Sequence, residues 1–89
     1  MNCIITVLGH DRVGIIAAVC NYLAESNINI LDISQTILQG YFNMIMIVDM
    51  KNANRSFDTV SDELNAIGEK IGVSIKVQNE EIFNSMHRI

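Results

Sequence analysis

Seven residues lying between an apolar run and an amphipathic one, Gly9-His10-Asp11-Arg12-Val13-Gly14-Ile15, concentrate the chemistry of this chain. A turn that opens a helix leaves backbone N–H groups free, and these suit a carboxylate or another small anionic group. Asp11 adds a carboxylate that can meet an ammonium, and His10 and Arg12 add polar heads on either side of it. A second piece, Ile28-Asn29-Ile30, follows the amphipathic run, and the Asn29 amide can both donate and accept. Each of these residues also has a plainer role. Asp11 can cap its own helix, Gly14 can let that helix approach a neighbour, and Asn29 can satisfy backbone at the start of a strand.

Other chemistries are poorly served. A copper-type carrier needs two cysteines together on the first loop, whereas Cys3 precedes the loop and Cys20 follows it. His10 and His87, joined by Asp11, would make a metal site only if the chain's end came back to its first loop. The reading is therefore no metal and no cofactor. No nucleophile is paired with a base, because Ser26, Ser34, Ser56, Ser61, Ser74 and Ser85 fall in turns, caps or polar strand faces. Arg12 and Asn29 echo a phosphate cradle of the acylphosphatase kind, but its glycine pattern is missing. Catalysis is not expected.

Composition narrows the partners. The 89 residues suffice for one domain with one modest core, and the 49% hydrophobic content predicts that it folds. A net charge of −4 and six scattered basic residues argue against nucleic acid and against anionic membrane. The stretch Gly40-Tyr41-Phe42-Asn43-Met44 has a superficial likeness to an RNA-binding strand, but Gln39 stands where a basic residue belongs. No run approaches the roughly 20 apolar residues of a membrane span. The N-terminus lacks a basic leader, and Cys3 and Cys20 read as reduced core thiols, so a cytoplasmic location is expected.

The elements that must hold the two chemical pieces are legible as alternating periods. Asn2 to Leu8 is apolar and β-branched, a first strand. Asp11 is expected to cap a helix whose inner face carries Val13, Ile16, Ala17, Cys20, Leu23 and Ala24, with Asn27 as its left-handed terminator. Ile28 to Leu38 is a second strand, Gln39-Gly40 a tight turn, and Tyr41 to Met50 a third strand. Ser56 caps a second helix, with Phe57, Val60, Leu64, Ile67 and Ile71 as its stripe and Gly72 just past its end. Val73, Ile75 and Val77 alternate with polar residues as a fourth strand. Asn79 is expected to open a short C-terminal helix.

This order predicts an α+β, ferredoxin-like βαββαβ fold. Strands 1 and 3 are apolar on both faces and belong in the centre, while strands 2 and 4 carry polar residues and belong on the edges. The antiparallel sheet order is then 4-1-3-2, with two helices on one face. The other face is expected to carry Met44, Met46 and Met50, and to be covered by a second copy and by Phe83 and Met86 of the C-terminal helix. A homodimer follows from that apolar patch.

The loop Asp11-Arg12-Val13-Gly14-Ile15 together with Ile28-Asn29-Ile30 resembles the ACT domain. The likeness extends to Asp32-Ile33-Ser34-Gln35-Thr36-Ile37, to Gly40-Tyr41-Phe42 and to the chain's end, which are similar to stand-alone bacterial single-ACT-domain proteins. Val13 stands where many ACT domains have proline. The resemblance implies an ACT domain over residues 1–78 and a helical extension over 79–89. It implies a non-catalytic regulator that binds a small molecule, in particular an amino acid, near a subunit interface. The implied ligand residues are His10, Asp11, Arg12, Val13, Gly14, Ile15, Asn29 and Ile30. A second reading keeps the fold without a small ligand. In it the edge strand or the methionine-rich face docks on an enzyme, a regulator or another ACT protein.

Overall fold

The computed structural model describes residues 1–81. Six elements follow in the expected order: β1 (Asn2–His10), α1 (Ile15–Glu25), β2 (Asn29–Leu38), β3 (Tyr41–Asp49), α2 (Phe57–Ile71) and β4 (Val73–Asn79). The strands form one antiparallel sheet in the order β2-β3-β1-β4, which is the predicted 4-1-3-2 read from the other edge. The two connections that were read as turn signals take the backbone they need. Gln39 and Gly40 both have positive φ, at 52° and 81°, as a two-residue hairpin turn requires. Asn27, at φ 57°, ends α1.

The register decides which residues enter the core. Cys3, Ile5 and Val7 of β1 lie opposite Val48, Met46 and Met44 of β3, and Val77 and Ile75 of β4 lie beside Ile5 and Val7. This face meets Ile15, Val19, Tyr22 and Leu23 of α1 and Val60 and Leu64 of α2 in one cluster. Met44 and Met46 are fully buried there, and Met50 packs against the cluster's margin. The expectation that the methionines face away from the helices is thus corrected. The polar residues of β3, Asn43 and Asp49, both stand at odd positions, so the wholly apolar even set Phe42, Met44, Met46 and Val48 is the one that faces the helices. The pairing Val7↔Met44 puts that set on the same side as the buried residues of β1. The open face carries Leu8 and His10 of β1, Tyr41 and Ile45 of β3 and Leu38 of β2, all exposed. Phe83 and Met86 lie outside the described residues.

A second correction concerns α1. Its N-cap is Gly14, in the left-handed region at φ 96°, and no side chain caps it. Asp11 lies well before the helix. Val13, Ile16, Ala17 and Ala24 are exposed, and the buried face is Ile15, Val19, Tyr22 and Leu23. The run Ile15-Ile16-Ala17-Ala18-Val19-Cys20 is apolar all round, so its periodicity does not single out one face. In α2 the prediction holds. Ser56 accepts from the Thr59 N–H at 3.2 Å, and Gly72 closes the far end by donating to the Gly68 carbonyl at 2.8 Å.

Strand β2 is the outer edge. All of its residues are exposed except Ile30, including Leu31, Ile33, Ile37 and Leu38. A bulge sits at Leu31: Ile30 pairs with Val48, and Asp32 pairs with the next residue, Ile47.

Candidate functional site

Strand β1 is longer than its apolar run and carries His10 to the last rung of the sheet, opposite Tyr41. The two rings stack with centroids 4.7 Å apart. The chain then turns over the β2–β3 hairpin, where the Asp11 N–H donates to the Gly40 carbonyl at 2.8 Å. Arg12 reaches sideways. Its guanidinium donates to the carbonyl of Ile71 and lies over Gly72, at the end of α2 where the helix dipole favours a cation. Val13 is fully exposed, and Gly14 turns the chain into α1.

These contacts sort the loop residues by what they leave free. The Asp11 amide and the Arg12 guanidinium are both engaged within the fold. The Asp11 carboxylate and the His10 ring are exposed. The first intrahelical bond runs from the Ala18 N–H to the Gly14 carbonyl at 2.9 Å. The N–H groups of Ile15, Ile16 and Ala17 therefore have no acceptor within the helix, and Gly14 offers no side chain to cap them. Positive φ at Gly14 turns the chain there. A side chain at that position would have open space around it but an unfavourable backbone.

Asn29 and Ile30 lie elsewhere. Asn29 pairs with Asp49, eight residues along β3 from the Tyr41 that faces His10. At a rise of about 3.3 Å per residue the two pieces are roughly 26 Å apart in one chain. Helix α1 causes this. It returns the chain beside β1, so the strand that follows must begin at the opposite end of the sheet. Ile30 turns inward and packs against the core margin, and Asn29 is exposed.

Around Asn29 the structure shows a cleft that the sequence reading missed. It has a volume of about 280 Å³ and is lined by Ala24, Asn27, Ile28, Asn29, Asp49 and Asn52. Its walls are the α1–β2 connection and the loop after β3, and hydrogen bonds fasten the two together. Asn27 Nδ2 donates to the Asn52 carbonyl at 2.8 Å, and Asn54 donates to the carbonyls of Glu25 and Ser26, each at 3.0 Å. Arg55 donates to the buried Ser26 hydroxyl. The sequence signal was the repetition of Asn and Asp on both connections, which reads at first as ordinary turn composition.

The family profile of the ACT domain matches residues 2–78. The chain belongs to the ACT domain family. A UPF0237 protein of Clostridium acetobutylicum is 61% identical over 89 residues, covering 100% of each chain. A UPF0237 protein of Bifidobacterium longum is 59% identical over 86 residues, covering 97% of this chain and 96% of that one. Among solved structures, an ACT domain protein from Streptococcus pneumoniae superposes with a TM-score of 0.81 at 41% identity, covering 93% of both chains. ACT domains are commonly regulatory modules that bind small molecules, and they often pair. No helix among the described residues is long and apolar enough to cross a membrane.

Proposed function

We propose that this chain is a non-catalytic regulator. Two copies pair along β2, and a small effector, an amino acid, binds where the loop of one meets the start of β2 of the other. The observation that carries the reading is the separation of the two chemical pieces along a bare edge strand. In a single chain Asp11 and Asn29 are too far apart to hold one small molecule. Antiparallel pairing of β2 with its copy about a two-fold axis carries each Asn29 toward the other chain's loop. That pairing would also satisfy the outer N–H and C=O groups of β2 and cover Leu31, Ile33 and Ile37. In the joint site the free amides of Ile15, Ile16 and Ala17 suit a carboxylate, and the Asp11 carboxylate suits an ammonium.

The test measures mass by light scattering and thermal unfolding against the twenty amino acids on one sample. The expected result is the mass of two copies and a rise in melting temperature with one amino acid or a small group of them. Ile33→Lys, which sets a charge near the middle of the bare edge on both copies, should give a single copy and abolish that rise. A single-copy mass for the unaltered protein would refute the pairing. A stable pair indifferent to all twenty would favour docking on another protein, through the exposed Leu8, Tyr41 and Ile45 of the open face.

A further inference from the structure

The open face of the sheet is unevenly covered. Cys3, Ile5 and Val7 face the helices, so Asn2, Ile4, Thr6 and Leu8 of β1 face the other way. Both helices pack on the first side. Ile4 is nevertheless only 5% exposed, whereas Leu8, on the same face of the same strand, is 47% exposed. The flanking strands do not account for this. Thr6 is flanked by Ile45 and Lys76, side chains as large as the Ile47 and Gln78 that flank Ile4, and it is less buried than Ile4. The shelter follows a row across the sheet. Gln78, Ile4, Ile47 and Asp32 stand side by side in it. Ile47 and Gln78 are partly buried, while Ile45 and Lys76 in the next row are exposed. At the same corner one Glu80 oxygen, Oε2, is enclosed without a hydrogen-bond donor among the described residues.

We propose that this row is the docking site of the chain's own C-terminal segment: residues 82–89 lie across it as a helix and cover Ile4 and Ile47. The described residues end at the corner from which such a helix would start. Asn79 pairs with Cys3, its Oδ1 accepts from the Glu81 N–H at 2.8 Å, and Glu80 and Glu81 are helical, so a helix has been capped and begun there. Ile82, Phe83, Met86 and Ile89 recur at helical spacing and give the segment one apolar side. As a helix, residues 80–89 would be about 15 Å long, close to the roughly 14 Å width of a four-stranded row. A helix about 10 Å across shelters one row and the margins of the next, which leaves Leu8, Tyr41 and Ile45 bare. Charge agrees with this direction. Glu80 and Glu81 stand at the segment's start, and Arg88 near its end comes to β2, where Asp32 completes the row. Another protein docking on the open face then meets only the half that carries Leu8, Tyr41 and Ile45.

The experiment is a nuclear Overhauser measurement on the full chain with ¹³C-labelled isoleucine and leucine methyl groups. The Phe83 ring should contact methyl groups of Ile4 and Ile47, and neither Leu8 nor Ile45. Phe83→Leu keeps an apolar side chain and removes the ring. It should abolish those contacts and the ring-current displacement of the Ile4 and Ile47 methyl signals, and leave Leu8 unmoved. A sample that mixes labelled with unlabelled chains separates contacts within a chain from contacts between copies, and the Phe83 contacts should be absent from the between-copy spectrum. No contact from Phe83 to Ile4 or Ile47, contacts that reach Leu8 and Ile45 instead, or contacts found only between copies would each overturn the proposal. The outcome does not depend on whether β2 pairs, so it and the regulatory reading stand or fall separately.

Discussion

Helix α2 rests on the sheet at one point where there is no room for a side chain. A Cβ on Gly68 would lie 2.7 Å from the Val73 carbonyl oxygen and 3.1 Å from Ile75 Cγ1. Gly68→Ala therefore sets two known effects against each other. Alanine favours the helix by about 1 kcal/mol over glycine. Overpacking costs about 1–3 kcal/mol, and toward the top of that range where the obstacle is strand backbone that cannot rotate away. The steric effect wins, and the net loss is about 1–2 kcal/mol. For a domain of this size that is a fall in melting temperature of roughly 5–15 °C. Circular dichroism melts at one fixed protein concentration measure it, with Ala66→Gly on the exposed side of α2 as the calibration for propensity alone. A urea series should show a lower midpoint with an unchanged slope. An unchanged or raised melting temperature for Gly68→Ala would refute the contact between α2 and β4 as the structure draws it.

Three further outcomes follow from the packing and hydrogen bonds of the core and its margin. Met46→Ala should cost about 2–5 kcal/mol because Met46 is fully enclosed, while Ile45→Ala on the open face should cost about 1 kcal/mol or less, both read from urea midpoints. The Tyr22 hydroxyl donates to Glu63 Oε1 at 2.7 Å, and burial, then this bond, push its pKa above the ordinary 10.0. The folded state thus prefers the neutral phenol, so its contribution is whole below about pH 10 and is lost as pH rises through the raised value; Tyr22→Phe should flatten that alkaline decline in melting temperature. Iodoacetamide at pH 8 should label Cys20, which is partly exposed, well before Cys3, whose thiol is enclosed and pushed up by burial; mass spectrometry of the digested protein separates them.

The topology was legible because polar residues fall unequally on the strands. Asp32, Ser34, Gln35 and Thr36 mark β2 as an edge, and Ser74, Lys76 and Gln78 mark one side of β4. The caps at Ser56 and Gly72 and the turn at Gln39-Gly40 were legible for the same local reason: few residues fit those backbones. The faces of β3 were misread although they were legible, since Asn43 and Asp49, its two polar residues, both stand at odd positions and mark the open side. The start of α1 was misread because Asp11 is a good cap in isolation, and only the tertiary bond from its amide to Gly40 shows that the chain is still turning there. The site was half legible. Its residue types were plain, but Asp11 and Asn29 were taken as neighbours although the helix between them carries the chain to the other end of the sheet. Arg12 looked free for a ligand, and nothing in its local sequence discloses that Ile71 takes it.

The extra residue at Leu31 acts as a phase corrector. Before it the odd-numbered Asn29 faces the open side, and after it the even-numbered Ser34 does, so one strand carries two hydrophobic patterns of opposite parity. Removing Leu31 would leave every pair from Asp32 to Leu38 in place and turn β2 into an unbroken ruler of backbone groups. Such an edge could accept another strand in several equivalent registers. The irregular rung interrupts that ruler, so the edge offers an incoming strand two short stretches of different phase in place of one long one.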